Sequence, residues 1–101
     1  MALVKVAETH EVPVGQSKRV VVKRVPVVIF HLEDGYYAVA DTCSHAEASL
    51  SEGQIMGDRV ACPRHGALFD IRTGAALTLP AVTPVETFKV VVQGNDILVE
   101  V

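Results

Sequence analysis

Apolar residues in this chain recur in short runs, valine foremost, and nowhere hold a helical spacing for three turns. Where they alternate with polar positions or cluster as β-branched residues, strands are expected. The pattern predicts them over Leu3–Ala7, Arg19–Lys23, Val27–Leu32, Tyr36–Ala40, Arg59–Cys62, Ala67–Ile71, Thr87–Val92 and Ile97–Val101. Asp34-Gly35 and Gly94-Asn95-Asp96 read as hairpin turns, because Gly, Asn and Asp tolerate the positive φ that tight hairpins need. Val12-Pro13-Val14-Gly15-Gln16 reads as a connecting loop. Many short strands with such punctuation predict an all-β antiparallel sandwich or barrel. The segment 41–80 is poorer in β-branched residues and richer in Gly, Ser and Ala than its flanks, so it reads as a small subdomain inserted into a larger β base. A short helical turn near Ala46–Leu50 is a weaker expectation.

Length places all of this in one domain, 1–101, large enough for a core without disulfide staples. No apolar run approaches the roughly 20 residues that span a bilayer, and the N-terminus lacks the pattern of a signal peptide. A cytoplasmic protein without membrane partners is therefore expected. The net charge of −3 argues against nucleic acid as a partner. The charge is unevenly spread. Between Arg24 and Arg59 there is no Lys or Arg, whereas Glu33, Asp34, Asp41, Glu47, Glu52 and Asp58 fall in that stretch. It reads either as solvated surface or as a docking face for basic partners.

Two short runs inside the inserted segment carry the chemistry: Asp41-Thr42-Cys43-Ser44-His45 and Ala61-Cys62-Pro63-Arg64-His65-Gly66. They use both cysteines and two of the four histidines. Two thiolates and two imidazoles suit tetrahedral zinc, and equally a two-iron cluster with two Cys on one iron and two His on the other. Zinc knuckles usually pair like ligands. Here each run supplies one of each kind, as an elongated two-iron centre requires of loops that reach both its ends. A disulfide would leave the matched histidines unexplained. His10 and His31 lie outside both runs and read as ordinary histidines; Asp70 and Arg72 are a candidate ion pair.

Cys43-x-His45, Cys62-Pro63-Arg64-His65-Gly66-Ala67-Leu68-Phe69-Asp70 and Thr73-Gly74 resemble a Rieske-type protein. With Ala48-Ser49-Leu50-Ser51-Glu52-Gly53 between them, the likeness narrows to the small Rieske ferredoxins of bacterial ring-hydroxylating dioxygenase systems. It covers about residues 36–92. It implies a β base with a cluster-binding subdomain at about 41–80, and a [2Fe–2S] cluster bound by Cys43, His45, Cys62 and His65. It also implies an electron carrier without turnover of its own, serving a flavin-dependent ferredoxin reductase and a terminal Rieske oxygenase in aromatic hydrocarbon catabolism. Leu79-Pro80-Ala81-Val82-Thr83-Pro84 resembles the proline loop that covers such a cluster.

Two ferric ions, two sulfides, two thiolates and two neutral imidazoles sum to no net charge, so an electron is accepted more readily than by a four-thiolate centre. High-potential relatives place Ser and Tyr hydroxyls where this chain has Ala67 and Phe69, and add two cysteines that are absent here. A potential near the low end of the Rieske range, about −150 mV, is expected. A Rieske oxygenase would need a second domain for its mononuclear iron. The small subunit of an assimilatory nitrite reductase and a structural zinc module remain as alternative readings.

Overall fold

The computed structural model describes residues 2–44, 48–64, 66–79 and 81–101. Among these residues ten strands follow one another: β1 (Leu3–Glu8), β2 (Ser17–Val22), β3 (Val25–Leu32), β4 (Gly35–Ala40), β5 (Ile55–Met56), β6 (Arg59–Ala61), β7 (Leu68–Asp70), β8 (Thr87–Phe88), β9 (Val90–Gln93) and β10 (Asp96–Glu100). They form three antiparallel sheets in the orders β1-β10-β9, β2-β3-β4-β8 and β5-β6-β7. Among the described residues the helical pieces are two single 3-10 turns, Thr9–Glu11 and Leu50–Glu52. No helix among them is long and apolar enough to cross a membrane.

The four-stranded sheet is the middle layer. Strand β3 is buried from Val27 through Phe30, and alternate residues serve different cores, as the two-residue period of a strand dictates. Val27 and Ile29, with Ala38 of β4, pack against Ala7, Ile97 and Val99 of the three-stranded base sheet. Val28, Phe30 and Leu32, with Val39, face Leu50, Val60, Phe69 and Ile71 of the later segment. That segment leaves the sheet after Ala40 and rejoins it at Thr87. Its two ends are neighbours, since β4 and β8 pair at Ala38–Phe88 and Val39–Thr87 and the Ala40 N–H donates to the Glu86 carbonyl at 2.8 Å.

Every strand expected from the pattern is present, with three differences in detail. The single strand expected over Thr87–Val92 is two. Thr87 and Phe88 pair with β4, Val90 onward pairs with β10, and the chain changes sheets at Lys89. A run of β-branched residues looks the same whether it stays in one sheet or turns a corner between two. Strand β5 is too short to leave a periodic signal, and exists because Gly57, at φ +64°, turns it back onto β6. Lys23, expected to end a strand, forms a two-residue hairpin turn with Arg24, at φ +49° and +70°. Nothing in that dipeptide announces such a turn. The pairing of Val22 with Val25 imposes it. A 3-10 turn covers Leu50–Glu52, and of the helical turn expected near Ala46–Leu50, residues 46 and 47 lie outside the described set.

Candidate metal centre

Cys43 and Cys62 lie in the same apolar cluster, both buried, among Leu50, Val60, Ala67, Phe69, Ile71, Ala81 and Val85. Neither is in a disulfide. The loops that carry them are closed alike. The Cys43 N–H donates to the Ala48 carbonyl at 2.9 Å, and the Cys62 N–H to the Ala67 carbonyl at 2.8 Å, five residues ahead in each case. In the second loop the Gly66 N–H also returns to the Cys62 carbonyl at 2.8 Å, and Gly66 adopts φ +75° there. His45 and His65 each belong to one of these loops by sequence and lie outside the described residues. The structure thus brings the two cysteines into one apolar layer. Two buried cysteines outside any disulfide, with one His in each matching loop by sequence, fit a mixed Cys/His metal centre.

The first loop is anchored by Asp41. Its carboxylate accepts from the Ser51 N–H at 2.9 Å, from the Ser49 hydroxyl, and from Arg19 Nε at 3.1 Å. Its own N–H donates to the Pro26 carbonyl at 3.0 Å, and its carbonyl accepts from the Leu50 N–H at 2.7 Å. Burial alone would raise the Asp41 pKa; the hydrogen bonds from Ser49, Ser51 and Arg19 outweigh it and hold the carboxyl below its ordinary value.

The two cysteine-bearing arms meet at Gly53. A Cβ there would fall well inside contact distance of the Ala61 carbonyl oxygen, one residue before Cys62, and Ala61 donates its N–H to the Gln54 carbonyl at 2.9 Å. Gly74 is similarly pressed against the Val85 carbonyl. The loop expected to cover the site is tied to the first knuckle, since the Ser44 hydroxyl donates to the Thr83 carbonyl at 2.5 Å. Ala81 is buried from that loop, while Leu79 and Val82 stand 78% and 76% exposed. Pro80 lies outside the described residues.

One expectation about charge is corrected and another is qualified. Asp70 does not pair with the Arg72 guanidinium; its carboxylate caps the following turn through the N–H groups of Arg72 (2.8 Å) and Thr73 (3.1 Å). The Arg72 side chain reaches Asp34 at 3.1 Å and Asp58 at 3.0 Å, and lies over the Tyr37 ring. Arg72 and the Tyr37 hydroxyl together lower the Asp34 pKa. Nor is the stretch from Glu33 to Asp58 an unrelieved acidic face. Arg72 answers Asp34 and Asp58, Arg19 answers a buried Asp41, Glu33 and Glu52 remain exposed, and Glu47 lies outside the described residues. Both arginines are distant in sequence, which is why charge counting along the chain missed them.

His31 is half-buried, its Nδ1 2.7 Å from the Val12 carbonyl and its ring stacked on Tyr36. His10 is exposed beside Glu8 and Glu11, whose carboxylates already meet Lys5 and Lys18. Ala67 and Phe69 are both fully buried beside the cysteines.

The sequence profile of the Rieske [2Fe-2S] domain matches residues 2–89. The chain is 39% identical over 100 residues to the ferredoxin component of biphenyl 2,3-dioxygenase from Rhodococcus jostii RHA1, covering 99% of this chain and 94% of that protein. Its fold superposes on the ferredoxin of carbazole 1,9a-dioxygenase from Nocardioides aromaticivorans IC177 with a TM-score of 0.93 and 38% identity, over 98% and 97% of the two chains. It also matches a chain from a complex of reduced oxygenase and oxidized ferredoxin in carbazole 1,9a-dioxygenase, with a TM-score of 0.90 and 36% identity, over 96% and 91%. A structural zinc module is thereby set aside: the chain belongs to the Rieske [2Fe-2S] domain family and is an electron carrier with that type of cluster.

Proposed function

We propose that this chain is the ferredoxin of a ring-hydroxylating dioxygenase system, taking single electrons from a flavin-dependent reductase and delivering them to a terminal Rieske oxygenase in the cytoplasm. The near end-to-end likeness to dioxygenase ferredoxin components supports this reading. When bound, the cluster supplies reversible one-electron chemistry. The chain's own residues supply its setting. Cys43 and Cys62 hold one iron, His45 and His65 the other, and the segment at about 41–80 is the cluster-binding part of a single domain. The observation that carries this ligand set is the burial of both cysteines in one apolar layer, on loops closed by the same hydrogen bond.

The pairing of Asp34, Asp41 and Asp58 with arginines weakens the idea of an acidic docking face. Exposed Leu79 and Val82, tied to the first ligand loop through Ser44 and Thr83, make an apolar rim the better surface for both partners. The deciding experiment combines composition, spectrum and transfer. Two irons and two acid-labile sulfides per chain, with a rhombic EPR signal on reduction, are expected. Replacing His45 or His65 by Ala abolishes that signal, whereas His10→Ala and His31→Ala retain it. Reduction by a cognate reductase and support of oxygenase turnover complete the test. Zinc in place of iron, or a cluster that no reductase reduces, refutes the proposal.

A further inference from the structure

Among the described residues Asp41 is the one buried charged or polar side chain, 2% exposed, and it stands two residues before Cys43. Two peptide units span at most about 7 Å, so its backbone is held close to the cysteine whatever the loop does. Its partners are unequal. Ser49 and Ser51 fix the carboxylate through neutral donors, which orient it and add no net charge. The opposing charge is Arg19, joined by one Nε bond at 3.1 Å and 49% exposed along its side chain. A buried charge acts through a medium of low polarisability, whereas the field of a half-exposed cation is damped by water and salt. On that ground the two charges are unequal in their reach, the buried carboxylate acting more strongly than the half-exposed guanidinium.

Building on the reading that Cys43 is a cluster ligand, we propose that the Asp41–Arg19 pair tunes the reduction potential. Asp41 is a fixed negative charge that lowers it, and Arg19 is a solvent-facing counter-charge that raises it part of the way back. Reduction adds one negative charge to the centre, so the stronger field of the carboxylate disfavours the reduced form, and weakening Arg19 deepens the effect. Both act as positioning and field-setting residues, with no direct part in electron transfer.

The test is the midpoint potential of the cluster-loaded protein, measured by spectroelectrochemistry at low and high salt. Arg19→Gln shifts it downward, Arg19→Lys leaves it near the wild-type value, and Asp41→Asn shifts it upward. High salt narrows the gap between Arg19→Gln and wild type, because that charge is exposed. EPR g values that stay constant across the variants identify the shifts as electrostatic. The Asp41→Asn substitution would turn an amide N–H toward donors, so if that variant loses its cluster the arginine pair of variants decides alone. A potential for Arg19→Gln equal to or above wild type, or an equal shift in Arg19→Lys, overturns the proposal. A wild-type protein with no rhombic signal at all would instead defeat the ligand reading beneath it.

Discussion

Six consecutive residue pairs join β2 to β3 and six join β3 to β4, whereas between Ala40 and Thr87 no ladder among the described residues exceeds three pairs. The base is held by repetition. Successive residues add rungs to the ladder and alternate ones add packed side chains, so neighbours repeat the contribution. The cysteine-bearing segment is held by single residues at single places: Asp41 under the first loop, Gly53 between the arms, Ser44 against the covering loop, Gly74 against Val85. Such a segment cannot follow one ladder, because its backbone carries two separate cysteines into one apolar cluster. The consequence is that equal chemical changes should have unequal effects in the two regions.

The sharpest comparison is one glycine in each. Gly53→Ala drives a methyl into the Ala61 carbonyl at an ordinary φ of −80°, so the arms must separate. Overpacking of this kind should cost about 3 kcal/mol and reduce cluster occupancy. Gly94→Ala, in the β9–β10 turn, meets open space and only a positive φ of +60°, and should cost about 1 kcal/mol with the cluster intact. Denaturation midpoints and iron content of the two purified variants check this. Equal losses would mean that the cysteine-bearing arms can yield as easily as a surface hairpin.

Added hydroxyls offer a second comparison. Ala67→Ser with Phe69→Tyr places donors beside the buried cysteines, where a hydrogen bond to sulfur favours the more negative reduced state, so the midpoint potential should rise. Ala38→Ser, equally buried but in the base core, should lower stability and leave the potential unmoved. A wild-type potential well above zero, or no rise in the double variant, would show that these two positions do not govern it.

Acid separates the regions by another route. The Asp41 pKa is lower folded than its usual unfolded value of about 3.9, so the unfolded chain binds the proton first as pH falls. The stabilisation from Asp41 is complete above that value and disappears as pH drops through the folded pKa. The stability gap between wild type and Asp41→Asn should therefore be full near neutrality and close in more acidic solution, as read from urea midpoints at a series of pH values. A gap that persists unchanged through the acid range would place the effect in packing, not charge.

The smallest effect is a gain. Lys23 and Arg24 occupy positive φ without being glycine or asparagine. Lys23→Asn with Arg24→Gly should stabilise the base by about 1 kcal/mol, since the left-handed conformation then costs less. The cluster spectrum should not change. Any change would show that the hairpin is coupled to the cysteine-bearing loops through Pro26, whose carbonyl receives the Asp41 N–H.

The strands of the base were legible because burial on alternate faces writes a two-residue rhythm into the chain, and β3 between two cores writes a continuous apolar run. The chemistry was legible in the paired Cys and His spacing, which is local to each loop. Other features were fixed by distance in space and left no local trace. Arg19 lies twenty-two residues from Asp41, and Arg72 lies thirty-eight from Asp34. The Lys23–Arg24 turn follows from the register of β2 on β3, and the break at Lys89 from which sheet each half of that run can reach. Sequence alone therefore determined most strands of the base and the candidate ligand set. The tertiary structure decided which charges are neutralised, which glycine separates the arms and where the exposed apolar rim lies, because those depend on chain segments meeting in space and carry no periodicity along it.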